Sequence, residues 1–471
     1  MMINTAFNMT IDGRAENSSD QIAVVNPATE AVVATIPDCS QGQLDRAVAA
    51  ARAAFPGWRA TSYADRQAAL RAIGALVAEH AEELKQLLTA EQGKPHAAAL
   101  AEIQAAAWWI GVVADQQLPE TVSDAMPGQR SVTRHVPLGV VGAIVPWNFP
   151  VLLAIWKIGP ALLTGNTMVL KPSPFTPLAT LRLGELLQSV LPPGVLNIVS
   201  GGDALGPMMS EHGDIDKISF TGSTATGRRV MASAAANLKR LTLELGGNDA
   251  AIVLPDAKVA DIAEPLFWAA FTNSGQVCVA AKRMFVHDSI YDELSAALVE
   301  IAGRVRIGDG ADPDSALGPV QNRAQYERVK AMIADSRAAG HRFLTGGEPG
   351  EGPGYFVPVT LVDNPPDEAR VVAEEAFGPV LPLLRYHDID EAVARANASE
   401  YGLGGSVWSS DPAAAAEVAE RLETGTVWIN SAQGLTPFAA FAGHKQSGIG
   451  AENGLDGLLE FTVPQTIHHP A

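Results

Sequence analysis

From Gly139 to Gly247 short apolar runs alternate with longer amphipathic ones, joined by only a few residues, and few architectures accept such a pattern. Strands are expected at Val140–Val145, Thr167–Lys171, Leu196–Ser200, Lys217–Phe220 and Arg240–Leu245. Helices are expected at Val151–Leu163, Pro177–Val190, Ala204–Glu211 and Thr224–Ala235. Strand–helix units joined this tightly build a doubly wound parallel sheet covered on both faces. Ligands of such sheets gather beyond the carboxyl ends of the strands. Asn148, Lys171, Gly201 and Gly222 fall at or just past those ends.

Gly246-Gly247 is a natural boundary, after which a second α/β region runs from Ala250 to Asn430, with helices expected at Ile290–Val305 and Arg323–Ala339 and a glycine-rich surface loop from Gly346 to Gly354. Upstream, Asn26-Pro27-Ala28-Thr29-Glu30 separates two apolar runs and predicts a hairpin. Helical spacing follows over Leu44–Phe55, Tyr63–Thr89 and Ala97–Gln116, and Arg130 to Val136 alternates as a strand. The tail from Thr462 is short, with a strand expected at its start. A chain of 471 residues exceeds what one hydrophobic core serves, so two or three domains are expected.

The net charge of −19 opposes a nucleic-acid or anionic-membrane partner, which would need clustered Lys and Arg. Met1 to Asp20 is polar and lacks the apolar core of a signal peptide. Val136 to Trp156 is uncharged, but Pro137, Gly139, Gly142, Pro146 and Pro150 interrupt it, which fits a buried strand, a turn and a helix rather than a membrane span. With two cysteines, Cys39 and Cys278, no disulfide framework is expected, and the setting is a reducing, cytoplasmic one.

Cys278 is a candidate nucleophile because it follows a Gly-Gln turn in a polar loop, and thiolates attack electrophilic carbon well. A buried, inert thiol is the plainer reading of such a residue. Phe220-Thr221-Gly222-Ser223 ends a strand and opens a helix, a place where glycine lets backbone approach a diphosphate. Arg228 after Gly227 rules out a Walker loop, and the Gly-x-Gly-x-x-Gly spacing is missing. A plain tight turn accounts for this stretch equally well.

Taken together the motifs say more. Pro146-Trp147-Asn148-Phe149-Pro150, Lys171-Pro172-Ser173, Phe220-Thr221-Gly222-Ser223, Glu244-Leu245-Gly246-Gly247, Gly275-Gln276-x-Cys278, Glu374-Glu375-x-Phe377-Gly378-Pro379 and Lys445-x-Ser447-Gly448 occur in this order. Over nearly its whole length the chain resembles the NAD(P)-dependent aldehyde dehydrogenase superfamily. The resemblance implies an α/β fold with a Rossmann-type parallel-sheet coenzyme domain (1–118 and 138–246), an α/β catalytic domain (247–446) and a small bridging element used in oligomerisation (119–137 and 447–471). It implies oxidation of an aldehyde to the acid through a thiohemiacetal and a thioester on Cys278. Asn148 and the Cys278 N–H would hold the oxyanion, and Glu244 would be the general base. Lys157 and Glu452 match positions that help a proton leave. Pro146, Trp147, Lys171, Ser173, Gly201, Phe220, Gly222, Ser223, Leu245, Gly246, Glu375 and Phe377 would contact the coenzyme. No metal is expected.

The departures matter. Pro174 stands where relatives carry an acid after Lys-Pro-Ser, so NAD is expected to work with NADP also accepted, at a discrimination of about tenfold or roughly 1.4 kcal/mol. Ala440-Phe441-Ala442-Gly443, Ala451 and Val463 also differ from the usual pattern and bear on tail or subunit contacts. A homodimer or homotetramer is expected, paired through the strand Ser131 to Val136. Phe149, Leu153, Trp156, Val277, Val279 and Phe441 would line the substrate tunnel, which favours an uncharged aldehyde. Transfer of the acyl group to coenzyme A is an alternative that Glu244 opposes. An inactive structural or binding relative is another, opposed by intact Cys278, Glu244 and Asn148.

Overall fold

A computed structural model describes residues 6–126 and 128–470. The expectation about a leader segment falls partly on residues 1–5, outside the described residues. The alternating region forms an eight-stranded sheet in the order Arg14–Glu16, Met9–Ile11, Leu196–Ile198, Thr167–Lys171, Val140–Ile144, Lys217–Thr221, Arg240–Glu244, Gly448–Ile449. Its five central strands are parallel. The edges differ from the all-parallel expectation, because Met9–Ile11 and Gly448–Ile449 are antiparallel to their neighbours. The Met9–Ile11 and Arg14–Glu16 strands, only three residues each, turn through Asp12 and Gly13 at φ 52° and 70°. This is the Asp-Gly turn that suits strand twist.

Burial on both faces explains why the central strands are continuously apolar. Val141 and Ala143 enter one core cluster, with the helices Tyr63–Glu79, His96–Asp115 and Pro150–Leu163. Val140 and Ile144 enter another, beneath Gln41–Ala60 and Thr224–Ala234. The valine and isoleucine side chains buried here each contribute roughly 1.5–3 kcal/mol. The helical run expected over Tyr63–Thr89 is two helices, Tyr63–Glu79 and Ala81–Gln92. His80 (φ −95°, ψ 16°) caps one and opens the other, and Gly93 at φ 91° ends the second. His96–Asp115 is long and apolar enough to cross a membrane by length and composition, and it packs against Tyr63–Glu79 and Pro150–Leu163.

The second sheet runs Arg342–Thr345, Thr360–Asp363, Val380–Tyr386, Ala281–His287, Asp249–Val253, Gly404–Trp408, Thr426–Ile429, parallel except at its first pair. The third has three antiparallel strands, Thr462–Pro470, Gln129–Pro137 and Thr121–Met126. The strand Gln129–Pro137, which covers Ser131 to Val136, is the middle one: the tail pairs along its whole length, whereas Thr121–Met126 pairs only with Gln129 and Ser131 to Thr133, so among the described residues Arg134 to Val136 keep one edge unpaired. The stretch 447–471 is divided. Gly448–Ile449 extends the first sheet along Arg240–Glu244, the Gly454–Leu459 helix contacts Pro150–Leu163, and Thr462–Pro470 belongs to the third sheet.

Candidate active site

The parallel register sets the crest of the first sheet. In spatial order its strand ends present Gly201, then Lys171, then Pro146 and Trp147, then Gly222 and Ser223, then Leu245 and Gly246. A cavity of about 270 Å³ opens on part of this crest. Pro146, Trp147, Gly222, Ser223, Leu245, Gly246, Glu375 and Phe377 line it. Lys171, Ser173 and Gly201 lie further along, outside this cavity, and buried Phe220 supports it from beneath. A side chain at Gly222 would come within 2.6 Å of the Phe220 ring, and one at Gly246 within 2.5 Å of the Glu375 carboxylate. These glycines therefore keep the floor open. Ser223 caps the helix Thr224–Ala234 by accepting from the Thr226 N–H, so the positive end of that helix faces the cavity. The Trp147 and Phe377 rings meet edge to face at 5.2 Å.

A second cavity, of about 280 Å³, lies on the other side of Cys278. All six residues expected to form the tunnel line it, along with Glu244 and Glu452. Trp109, Leu152, Thr272, Gln433 and Leu435 join them, none of which carried a sequence signal. Asn148, Leu153, Thr221, Leu245 and Cys278 line both cavities, so the cysteine stands where they meet.

The local backbone explains how Cys278 is presented. Asn273 and Ser274 are both left-handed (φ 53° and 57°), and Gly275 continues at φ 74°. A side chain at Gly275 would collide with the Gly378 carbonyl. Non-glycine residues persist in this region only when their surroundings over-determine them. Here Ser274 Oγ donates to Gly318 O (2.7 Å) and Asn273 Nδ2 to Asn148 O (3.2 Å). Cys278 is partly exposed onto the two cavities and otherwise buried in protein. That burial pushes its thiol up to about 12; Lys282 draws it down, while Asp249, Glu244 and Glu375 oppose it.

Asn148 Nδ2 donates to Gln276 O at 3.0 Å, which ties the amide to the cysteine loop. Its carbonyl accepts from Lys94 Nζ at 2.8 Å, and Lys94 is paired with Glu102 at 2.6 Å, both fully buried. Glu102 in turn accepts the Val151 and Leu152 N–H groups at the start of Pro150–Leu163. Neither Lys94 nor Glu102 was visible as a site residue, because nothing in the sequence links them to position 148.

Glu244 is 3% exposed, and neither carboxylate oxygen has a hydrogen-bond partner among the described residues. Burial, followed by the charge of Glu452, raises its pKa well above the ordinary range; Lys157 opposes this and Glu460 reinforces it. Lys157 is fully buried, bonded to Glu452 and to Ser219 Oγ (3.1 Å). Glu375 lies 3.3 Å from Lys282 Nζ and accepts the Gly247 N–H at 3.3 Å. Lys171 donates to Pro172 O at 3.2 Å, and burial lowers it to about 8, against the charges of Asp203 and Asp38.

Strand ends of both sheets thus meet around one cysteine, with the buried Glu244 carboxyl lining the same cavity. The sequence matches the profile described as the aldehyde dehydrogenase family over residues 14–467. An aldehyde dehydrogenase from a Fusarium species is 39% identical over 467 residues, covering 98% of this chain and 99% of that relative. The NAD+ complex of an aldehyde dehydrogenase from Bacillus cereus superposes with a TM-score of 0.97 at 37% identity, covering 100% of this chain and 97% of that one. Lactaldehyde dehydrogenase from Escherichia coli gives a TM-score of 0.96 at 36% identity, with both chains fully covered. The chain belongs to the aldehyde dehydrogenase family: it is an oxidoreductase that acts on aldehydes.

Proposed function

We propose that this enzyme oxidises uncharged aldehydes to carboxylic acids with NAD, through covalent catalysis by Cys278. The observation that carries the reading is the meeting of two cavities at Cys278, one floored by the glycine crest and the other apolar. The residues fit a dinucleotide, since the open floor at Gly222 and Gly246 and the helix start at Ser223 suit a diphosphate. Glu375 and Phe377 would hold the nicotinamide half, and Lys171 the adenosine half. When bound, the nicotinamide supplies the acceptor for the hydride that leaves the substrate carbon.

The protein's own groups account for the remaining steps. The Cys278 thiol first gives up its proton to solvent water, which leaves the nucleophilic thiolate. The thiolate adds to the carbonyl carbon, and the resulting oxyanion sits between the Cys278 N–H and the Asn148 amide. Loss of hydride leaves a thioester on Cys278. Glu244 then takes a proton from water as it attacks, and collapse of the tetrahedral adduct returns the thiolate and releases the acid. Lys157 and Glu452 pass the proton on from Glu244. The domains act as 1–118 with 138–246 for coenzyme and 247–446 for catalysis, with 119–137 and the end of 447–471 as the bridging element.

The substrate side favours apolar aldehydes. Aromatic rings follow one another from exposed Phe438 through Trp108, Trp109 and Trp156 to Phe441, with centroids 4.9–6.3 Å apart. A panel of aldehydes should give NADH with aliphatic and aryl members at kcat/KM at least about tenfold above charged ones. The rate should not depend on coenzyme A, and the product should be the free acid. A requirement for coenzyme A would favour the acyl-transfer reading, and no NADH with any aldehyde would favour the inactive one.

Coenzyme choice follows from the crest. Pro174 removes one carboxylate, but Asp203 and Asp38 act on Lys171 and restore part of the repulsion toward an extra phosphate. NAD is expected to exceed NADP about tenfold in kcat/KM, or roughly 1.4 kcal/mol, with Asp203→Asn narrowing the gap. Equal use of the two coenzymes by the wild type would overturn this assignment. The exposed apolar side chains of the third sheet, Val122, Met126 and Ile467, favour association through an outer strand. Light scattering at micromolar concentration should show a dimer or larger, and a stable monomer would refute it.

A further inference from the structure

We propose that Lys282 is a positioning residue that ties the grip on the coenzyme to the alignment of the oxyanion donor; the proposal rests on the covalent mechanism above. Lys282 lies outside every motif in the sequence, one residue into the strand Ala281–His287, and is 4% exposed. A lysine normally extends its ammonium to water, and burying one is costly unless its donors are satisfied. Here Nζ donates to Val277 O (2.9 Å) and Cys278 O (2.6 Å) and faces Glu375 Oε1 at 3.3 Å, with Ala280 O at the margin, 3.5 Å. Three close acceptors match the three N–H donors of an ammonium.

Peptide planarity turns the first of these contacts into a directional constraint. A trans peptide carries its C=O and N–H on opposite sides. Val277 O, held by Lys282 and also by the Ala280 N–H at 3.1 Å, therefore aims the Cys278 N–H away from the lysine, and among the described residues no hydrogen bond engages that N–H. It is free for a substrate oxygen. Of the charges acting on the thiol, Lys282 favours the thiolate, whereas Asp249, Glu244 and Glu375 oppose it. The same ammonium holds Glu375, which also accepts from Gly247 on the coenzyme side. One cation thus serves the nucleophile, the oxyanion donor and the coenzyme clamp, and its removal is felt at all three.

The test uses the full chain carrying Cys39→Ala, so that alkylation reports Cys278 alone. In Lys282→Met, iodoacetamide should alkylate Cys278 about tenfold more slowly at pH 8 without coenzyme, the effect of one pKa unit. The kcat should fall about a hundredfold, as when an oxyanion donor is lost. Lys282→Arg, which keeps the charge, should restore most of the alkylation rate. NADH affinity, read by fluorescence titration, should fall about tenfold in Glu375→Gln, but less than twofold further when Glu375→Gln is added to Lys282→Met. Fully additive losses would overturn the coupling, as would a folded Lys282→Met with alkylation and kcat within twofold of the parent. Should Lys282→Met fail to fold, Lys282→Gln, which keeps donors but no charge, carries the same cycle. A parent that reduces no coenzyme with any aldehyde would instead overturn the mechanism itself.

Discussion

Cys278→Ala is expected to abolish aldehyde oxidation, lowering kcat by more than about 10⁴-fold while coenzyme affinity is retained. A nucleophile that forms a covalent intermediate has no substitute, and removing one usually costs nearly the whole rate. The change subtracts one sulfur at the junction of the two cavities and leaves the glycine floor, Glu375 and Phe377 untouched. Binding measured by NADH fluorescence and turnover measured by absorbance should therefore separate cleanly. Cys39→Ala is the control. Cys39 is buried with Leu44 and Val48 in the core of the first sheet, its thiol pushed up to about 12 by burial. Its replacement should leave kcat within about twofold, subject only to a small packing loss. Retained turnover in Cys278→Ala would remove the covalent mechanism.

Glu244→Gln should divide the reaction in two. Hydride transfer can occur once, but the thioester then waits for an unassisted water, so a burst of reduced coenzyme near one per active site should precede a steady rate lowered about 10²–10⁴-fold. Disappearance of the burst would place Glu244 before hydride transfer, and an unchanged steady rate would exclude it as the base. The same variant has a stability signature. With a folded pKa above the unfolded value, this carboxyl ionises more readily in the unfolded chain. The wild type therefore loses stability as pH rises from the unfolded pKa toward the folded one. Glutamine has no proton to lose, so the Tm of the variant relative to the wild type should climb across that window.

What could be read from the sequence was whatever repeated locally or occurred as a contiguous motif. Thr167–Lys171 appears with its expected limits because five consecutive buried residues leave no ambiguity of period. The break at His80 was hidden, since both flanking helices carry the same apolar spacing and no glycine or proline separates them. The short Met9–Ile11 strand owes its place to pairing with Leu196–Ile198, far along the chain. At the site, the six tunnel residues flank motifs and were found. Gln433, Lys94, Glu102 and Lys282 are ordinary residue types in unremarkable surroundings, brought in by tertiary packing alone. The pairing of the tail along the whole of Gln129–Pro137 is a long-range register, which local spacing does not encode.

The buried Lys94–Glu102 pair has a consequence for how this active site comes into being. None of the seven motifs lies within the first hundred residues, yet that segment supplies the ammonium on the Asn148 carbonyl and, two residues beyond it, the carboxylate on the start of Pro150–Leu163. Removing one member of such a pair costs about 3–5 kcal/mol, and here the loss would fall on the loop that carries Asn148, the proposed oxyanion donor. The finished geometry of the Asn148 loop thus depends on the N-terminal helices being docked. A fragment that begins at residue 118 would contain every recognisable motif of the family and still lack a finished catalytic loop.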